Sequence, residues 1–297
     1  MKKISILLGL LLVMSCVKPD NTINDVLDNY TSGAVLRTIT SSGEYNFYAP
    51  AASIFTATIE EHDTEKGALM QSVEIYVSLN SGTEALLQTI QPSEFTTGPS
   101  GLPRTDINVS LAAATGALGL SSSQYTGGDA VDIRLQLNLT DGRSFSADNV
   151  TGSMTGSYFK SPYKYSKIIK CIPLAAVPGI YTFLLIDTYG DGWQGSRIKV
   201  TVDGVSTYYA NISAYDGVGE GQNAGLEPFV GNNSSGSAQL TIPAGASTMS
   251  FEWISGDWPS ECTYKITYAK DANDPSPQVA LSENSVSEGV KILSICQ

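Results

Sequence analysis

Histidine is nearly absent from this chain: His62 stands alone among 297 residues. A Ser–His–Asp triad would have to use it, and no G-x-S-x-G turn offers a nucleophile. A second imidazole for a zinc-type site is missing as well. No phosphate-cradling loop, dinucleotide fingerprint or H-E-x-x-H helix motif occurs. Basic residues are also scarce, 17 Lys and Arg against 29 Asp and Glu for a formal charge of −12. A surface of that sign repels phosphate backbones and attracts cations, so nucleic acid is excluded as a partner. Beyond residue 16 no apolar run approaches the roughly 20 residues of a membrane-spanning helix. Paired carboxylates for glycoside cleavage do not stand out either. These absences point to a protein that acts without catalysis.

At the N-terminus Lys2 and Lys3 precede an apolar run from Ile4 to Met14, then Ser15 and Cys16. The run is too short to span a bilayer and ends at a small-residue processing site, the layout of a secretory signal. The sequence Val13-Met14-Ser15-Cys16 resembles the lipobox of bacterial lipoproteins. That resemblance implies that residues 1–15 are removed and that Cys16 is acylated, with palmitate-type chains that hold the protein to a membrane. The competing expectation is an ordinary signal peptide with a cysteine close to its cut. Removing residues 1–15 takes away two lysines and no acid, leaving a mature charge of about −14. Residues 16–31 are polar and acidic and read as a flexible tether, with an edge strand as the alternative.

What the chain has in quantity is Gly, Tyr, Ser, Thr and Val, with 28 Gly and 15 Tyr. Short alternating segments separated by Gly, Asn, Asp and Pro clusters predict an all-β protein. Val73–Leu79 and Val131–Leu139 alternate most cleanly, and Thr140-Asp141-Gly142-Arg143 and Val202-Asp203-Gly204-Val205 carry the Asp-Gly signature of tight hairpins. Further strands are expected at 34–39, 44–48, 53–59, 86–90, 106–111 and 164–170, with one helical turn at Leu111–Leu120. Ile172-Pro173 and Val177-Pro178-Gly179 break the pattern and mark a boundary. A second series follows at 180–186, 197–202, 206–210, 238–242, 248–253, 264–268 and 290–296. The predicted architecture is two β-sandwiches in tandem, immunoglobulin-like over 32–170 and jelly-roll-like over 171–297. Cys171, Cys262 and Cys296 allow one disulfide and a leftover thiol. Cys171–Cys296 would clamp the ends of the second region, Cys262–Cys296 is the other candidate, and spacing does not choose between them.

The sharpest motif is Asp187-Thr188-Tyr189-Gly190-Asp191-Gly192-Trp193-Gln194-Gly195. Two carboxylates four positions apart and separated by glycine allow a tight loop to gather oxygens at one point, as hard Ca²⁺ requires. The pattern is no EF-hand, for its third position is aromatic and no Glu closes it at the twelfth. The same carboxylates would also cap a turn by accepting backbone N–H groups, with Trp193 plugging a core. The segment resembles the D-x-Y-G-D-G-W-x-G opening of a β-sandwich module found in secreted and surface proteins of Gram-negative bacteria. In that module a late acidic residue lies near the loop, and Gly256-Asp257-Trp258-Pro259-Ser260-Glu261 matches that late segment. The resemblance implies Asp187, Asp191 and Glu261 as ligands of a structural Ca²⁺, with Asp216, Glu220 and Asp257 as weaker contributors.

Aromatic residues near the same loops, Tyr189, Trp193 and Trp258 foremost, are candidates for stacking on a sugar. Trp253 and the tyrosines of Tyr208-Tyr209 read equally as core and sheet decoration. The acidic run Glu60-Glu61-His62-Asp63-Thr64-Glu65 is expected to be a solvated loop after a strand.

The segments Gly33–Ile39, Gly67–Val77 and Gly101–Ile107 are similar to surface lipoproteins that accompany SusC/SusD-type outer-membrane complexes. This resemblance implies a non-enzymatic accessory lipoprotein of the outer membrane, facing the exterior. Its partners would be a SusC-type β-barrel and a SusD-type lipoprotein, in nutrient uptake or in outer-membrane protein assembly. A carbohydrate-binding surface lipoprotein is the alternative.

Overall fold

The computed structural model describes residues 32–156, 158–215 and 223–297. The signal, the tether and Cys16 lie outside the described residues, as do Asp216 and Glu220. No helix among the described residues is long and apolar enough to cross a membrane.

In its first half the chain runs through β1 (Val35–Ser42), β2 (Tyr45–Asn46), β3 (Ile54–His62), β4 (Met70–Leu79), β5 (Ala85–Ile90), β6 (Thr96–Thr97) and β7 (Pro103–Ser110). Helix α1 (Leu111–Ala117), β8 (Ala130–Leu139), β9 (Ser144–Ser146), the one-turn α2 (Gly152–Thr155) and β10 (Lys164–Lys170) follow. One sheet has the order β1-β3-β7-β6 and the other β2-β10-β8-β4-β5, with β9 on β8. Apart from the short β2, these are the A-B-E-D and G-F-C-C′ orders of an immunoglobulin-type sandwich. Period-two alternation makes it: Phe55, Ala57 and Ile59 of β3 face Val73, Ile75 and Val77 of β4 and Ile133, Leu135 and Leu137 of β8 in one buried cluster. Helix α1 begins where Ser110 accepts the N–H of Ala113, the usual reason a serine starts a helix.

The second half comprises β11 (Gly179–Asp187), β12 (Arg197–Val202), β13 (Val205–Tyr209), β14 (Val230–Gly231), β15 (Ser235–Ile242), β16 (Met249–Ile254), β17 (Cys262–Ala269), β18 (Gln278–Glu283) and β19 (Gly289–Lys291). The sheets have the orders β14-β15-β11-β17-β18 and β13-β12-β16-β19. Three hairpins, β12–β13, β14–β15 and β17–β18, stay within a sheet, and the remaining connections cross between sheets. Strand β18 is absent from the sequence reading, because Gln278–Glu283 follows a Pro-rich stretch. The strand expected over Val290–Cys296 shrinks to three residues, after which the tail pairs irregularly, Ile295 N–H donating to Cys171 O at 2.8 Å. A second apolar cluster centres on Trp193, Trp253, Phe183, Phe251 and Tyr264.

Of the two disulfides left open, Cys171–Cys296 forms and Cys262 is a buried free thiol. Gly127 of the first half lies so close to this bridge that an added Cβ would meet both sulfurs at 2.3 Å. Tyr48 Oη donates to Ile295 O at 3.0 Å, and Asn46 exchanges two hydrogen bonds with Ile172. The C-terminal tail is thereby seated against the first half.

The acidic run of the first half departs from expectation. Strand β3 continues through it to His62, and Glu60 and Glu61 are fully buried, Asp63 nearly so. The cause is cross-strand pairing: Arg37 of β1 and Arg104 of β7 lie opposite Glu60 on either side and hold its carboxylate at 3.4 and 2.6 Å.

Candidate metal centre

Strand register builds this site. Asp187 ends β11 directly opposite Cys262, the first residue of β17, so Glu261 and the start of the motif loop are neighbours by pairing alone. The backbone N–H of Thr188 and its hydroxyl both donate to Glu261 O, at 3.0 and 3.1 Å. One carboxylate oxygen of each of Asp187, Asp191 and Glu261 falls within 4.8 Å of the others. The three residues implied by the family resemblance thus meet at one point. Asp257 is exposed and outside this group.

The loop itself is wound on Asp187, which is buried. Its Oδ1 accepts the N–H of Tyr189 at 2.9 Å, and its Oδ2 accepts those of Asp191 and Gly192 at 3.0 and 2.5 Å. The turn-capping role is therefore present in full. It leaves Asp187 a remaining lone pair, since a carboxylate offers about four acceptor positions. Gly192 has φ +92, and a Cβ there would lie 2.1 Å from Ile212 O, so only glycine fits where the loop crosses the 211–215 segment. Ala214 N–H donates to Asp191 O at 2.8 Å, which ties that segment down.

The electrostatics are those of crowded acids. Partial desolvation, followed by the charges of Asp187 and Asp191, pushes the Glu261 carboxyl above its ordinary value. The charge of Asp191 likewise pushes the Tyr215 phenol upward. A trio of carboxylates with no ion pair among the described residues suits a hard cation with oxygen ligands at about 2.3–2.6 Å. A further observation fits such an ion: Gln194, buried beside Asp191, has an amide oxygen with no hydrogen-bond partner. The nearby Cys262 is no soft ligand, because burial pushes its thiol up to about 12 and keeps it protonated.

The aromatic residues divide. Trp193 is fully buried, its Nε1 donating to Ile186 O at 3.0 Å, and it packs edge-on against Trp253 at 5.1 Å. It is a core residue and cannot stack on a ligand, which corrects its place among the candidate binding residues. Trp253 is buried as well, stacked on Tyr264. Tyr189, Trp258 and Tyr215 instead stand out at 75, 66 and 50% exposure. With Asp191 and Glu261 they line a depression of about 350 Å³. Trp258 holds φ +56 at the start of the 3-10 turn Pro259–Glu261, a conformation that costs a non-glycine residue about 1 kcal/mol or more. By sequence Tyr215 is one of several tyrosines near the motif, outside every expected strand.

No family model matches the chain, and no curated protein matches it.

Proposed function

We propose that this protein is a lipid-anchored, non-enzymatic subunit of the outer-membrane surface. It would be acylated at Cys16 and serve a SusC/SusD-type β-barrel complex in nutrient uptake or outer-membrane protein assembly. Its C-terminal half would carry a structural Ca²⁺ held by Asp187, Asp191 and Glu261. The convergence of those three carboxylates carries the calcium reading. The leader ending in Ser15-Cys16 and the segment similarities of the first half support the placement. When bound, the ion would supply positive charge that ties the motif loop to the start of β17, and Asp187 would orient the loop through its three backbone hydrogen bonds. Gentle detergent extraction followed by pull-down should recover a β-barrel partner together with a SusD-type lipoprotein. Recovery of a lone, monodisperse lipoprotein overturns the assignment.

One observation favours a second reading, a glycan-binding surface protein. Tyr189, Tyr215 and Trp258 present exposed rings around a shallow acidic depression, and pyranose faces stack on such rings. This reading expects a hit on an oligosaccharide array that disappears in Trp258→Ala. An array without any hit retires it.

A further inference from the structure

The motif loop contains an atom that its own hydrogen bonds do not explain. Gln194 is only 7% exposed, and its backbone is pinned, with φ +32 and its carbonyl accepting the N–H of Asp257 at 3.1 Å. Its side-chain Nε2 donates to Asp191 Oδ1, which places the amide group at the carboxylate trio. Oε1 of the same amide is buried and has no partner. Among the described residues, the buried side-chain atoms of the second half left without a partner are this oxygen and Asn211 Oδ1. Both belong to this corner, since Trp193 N–H donates to Asn211 O. A buried acceptor without a donor is unfavourable, and a cation at this corner would give the Gln194 oxygen a partner.

We propose that Gln194 is a fourth protein ligand of the cation, its amide oxygen joining Asp187, Asp191 and Glu261. This inference rests on the calcium reading above. The two ends of an amide exchange places by a half-turn about its last torsion. Without a cation, the N–H end must face Asp191, because two acceptors repel. With a hard cation beside Asp191 the preference inverts, for amide oxygens are ordinary Ca²⁺ ligands whereas the NH₂ end repels the ion. The oxygen that lacks a partner becomes the one that binds. Gln194 occupies the unspecified position of D-x-Y-G-D-G-W-x-G, so this ligand belongs to this chain's own sequence rather than to the motif.

The test uses the detergent-solubilised full chain and Tb³⁺, which replaces Ca²⁺ and emits when a nearby aromatic ring is excited. Tyr189, Tyr215 and Trp258 are placed to sensitise it. Emission decays in H₂O and D₂O count the waters on the bound ion. Gln194→Met, which keeps the volume and removes the oxygen, should weaken Tb³⁺ binding about tenfold and admit one extra water. Gln194→Glu returns an oxygen and should restore the wild-type water count. An unchanged affinity and water count in Gln194→Met overturns the assignment and leaves the three-carboxylate site standing. Absence of sensitised emission in the wild type overturns the calcium reading beneath it. Should Gln194→Met fail to fold, ¹H–¹⁵N spectra of the wild-type chain decide. The Gln194 side-chain NH₂ pair must move on adding Ca²⁺, and a pair that stays in place while the loop backbone shifts refutes the proposal.

Discussion

Glu61 shows how far a single side chain can depart from its sequence context. It lies on the core-facing side of β3 with Phe55, Ala57 and Ile59, all fully buried. Both of its carboxyl oxygens lack a hydrogen-bond partner. Neighbouring Asp63 accepts the N–H groups of Glu65, Gly67 and Leu69 at 2.7, 2.8 and 2.9 Å. Burial first, then the Asp63 charge, pushes Glu61 up to about 8 from 4.5. The native state therefore binds a proton that the unfolded chain has released. The stability linked to Glu61 is complete below pH 4.5 and is lost as pH rises toward 8. Glu61→Gln, which cannot ionise, should raise stability at pH 9 by on the order of 2–4 kcal/mol. It should change little at pH 4. Melting curves across pH 4–9 check this, and parallel wild-type and variant profiles refute it. The run Glu60–Glu65 read as a solvated loop because four acids in six residues look hydrated. The arginines that neutralise Glu60 come from strands 23 residues before and 44 residues after it, a distance no local pattern spans.

At the scale of elements, the loop from β11 to β12 carries two expectations. If Asp187, Asp191 and Glu261 hold Ca²⁺, chelation should lower the melting temperature of the full chain. The stabilisation lost is about 2.7 kcal/mol when free ion stands at a hundred times its dissociation constant. Asp191→Ala should remove the response to chelator. Equal midpoints with and without chelator would leave Asp187 with turn capping as its whole role. Independently of any ion, Gly192→Ala places a methyl against Ile212 O in a left-handed conformation. It should cost about 1–3 kcal/mol, readable by chemical denaturation, and a neutral result would mean that the 211–215 crossing yields. The motif was legible because its parts are adjacent in sequence. Glu261 could be reached only through family resemblance, since the contact is made by β11–β17 register across 74 residues. Trp193 was ambiguous for a related reason. An aromatic residue in a glycine-rich loop serves a core or a ligand equally well until the loop's direction is known.

Across the whole molecule the Cys171–Cys296 bridge closes a separation of 125 residues. In the chain-entropy account a loop of that size removes about 5 kcal/mol of unfolded-state freedom, with 2–4 kcal/mol typical in practice. Cys296→Ser should lower stability by that order, seen as a lower melting temperature, and free the tail from Tyr48, with the loss of protection read by hydrogen exchange at Ile295 and Gln297. A variant that melts with the wild type would show that the hydrogen bonds of Tyr48 to Ile295 and Gln297 suffice to seat the tail.

Composition and period-two alternation already determined an all-β chain, its principal strands, its Asp-Gly hairpins and the acidic glycine loop, because each depends on residues within about ten positions. Tertiary structure decided which cysteines pair, which acids are buried, which tryptophan faces solvent and which glutamine lies against the carboxylates. Those outcomes depend on strand order and register, where a shift of one residue exchanges the buried face for the exposed one. The partners that set them lie many tens of residues away along the chain.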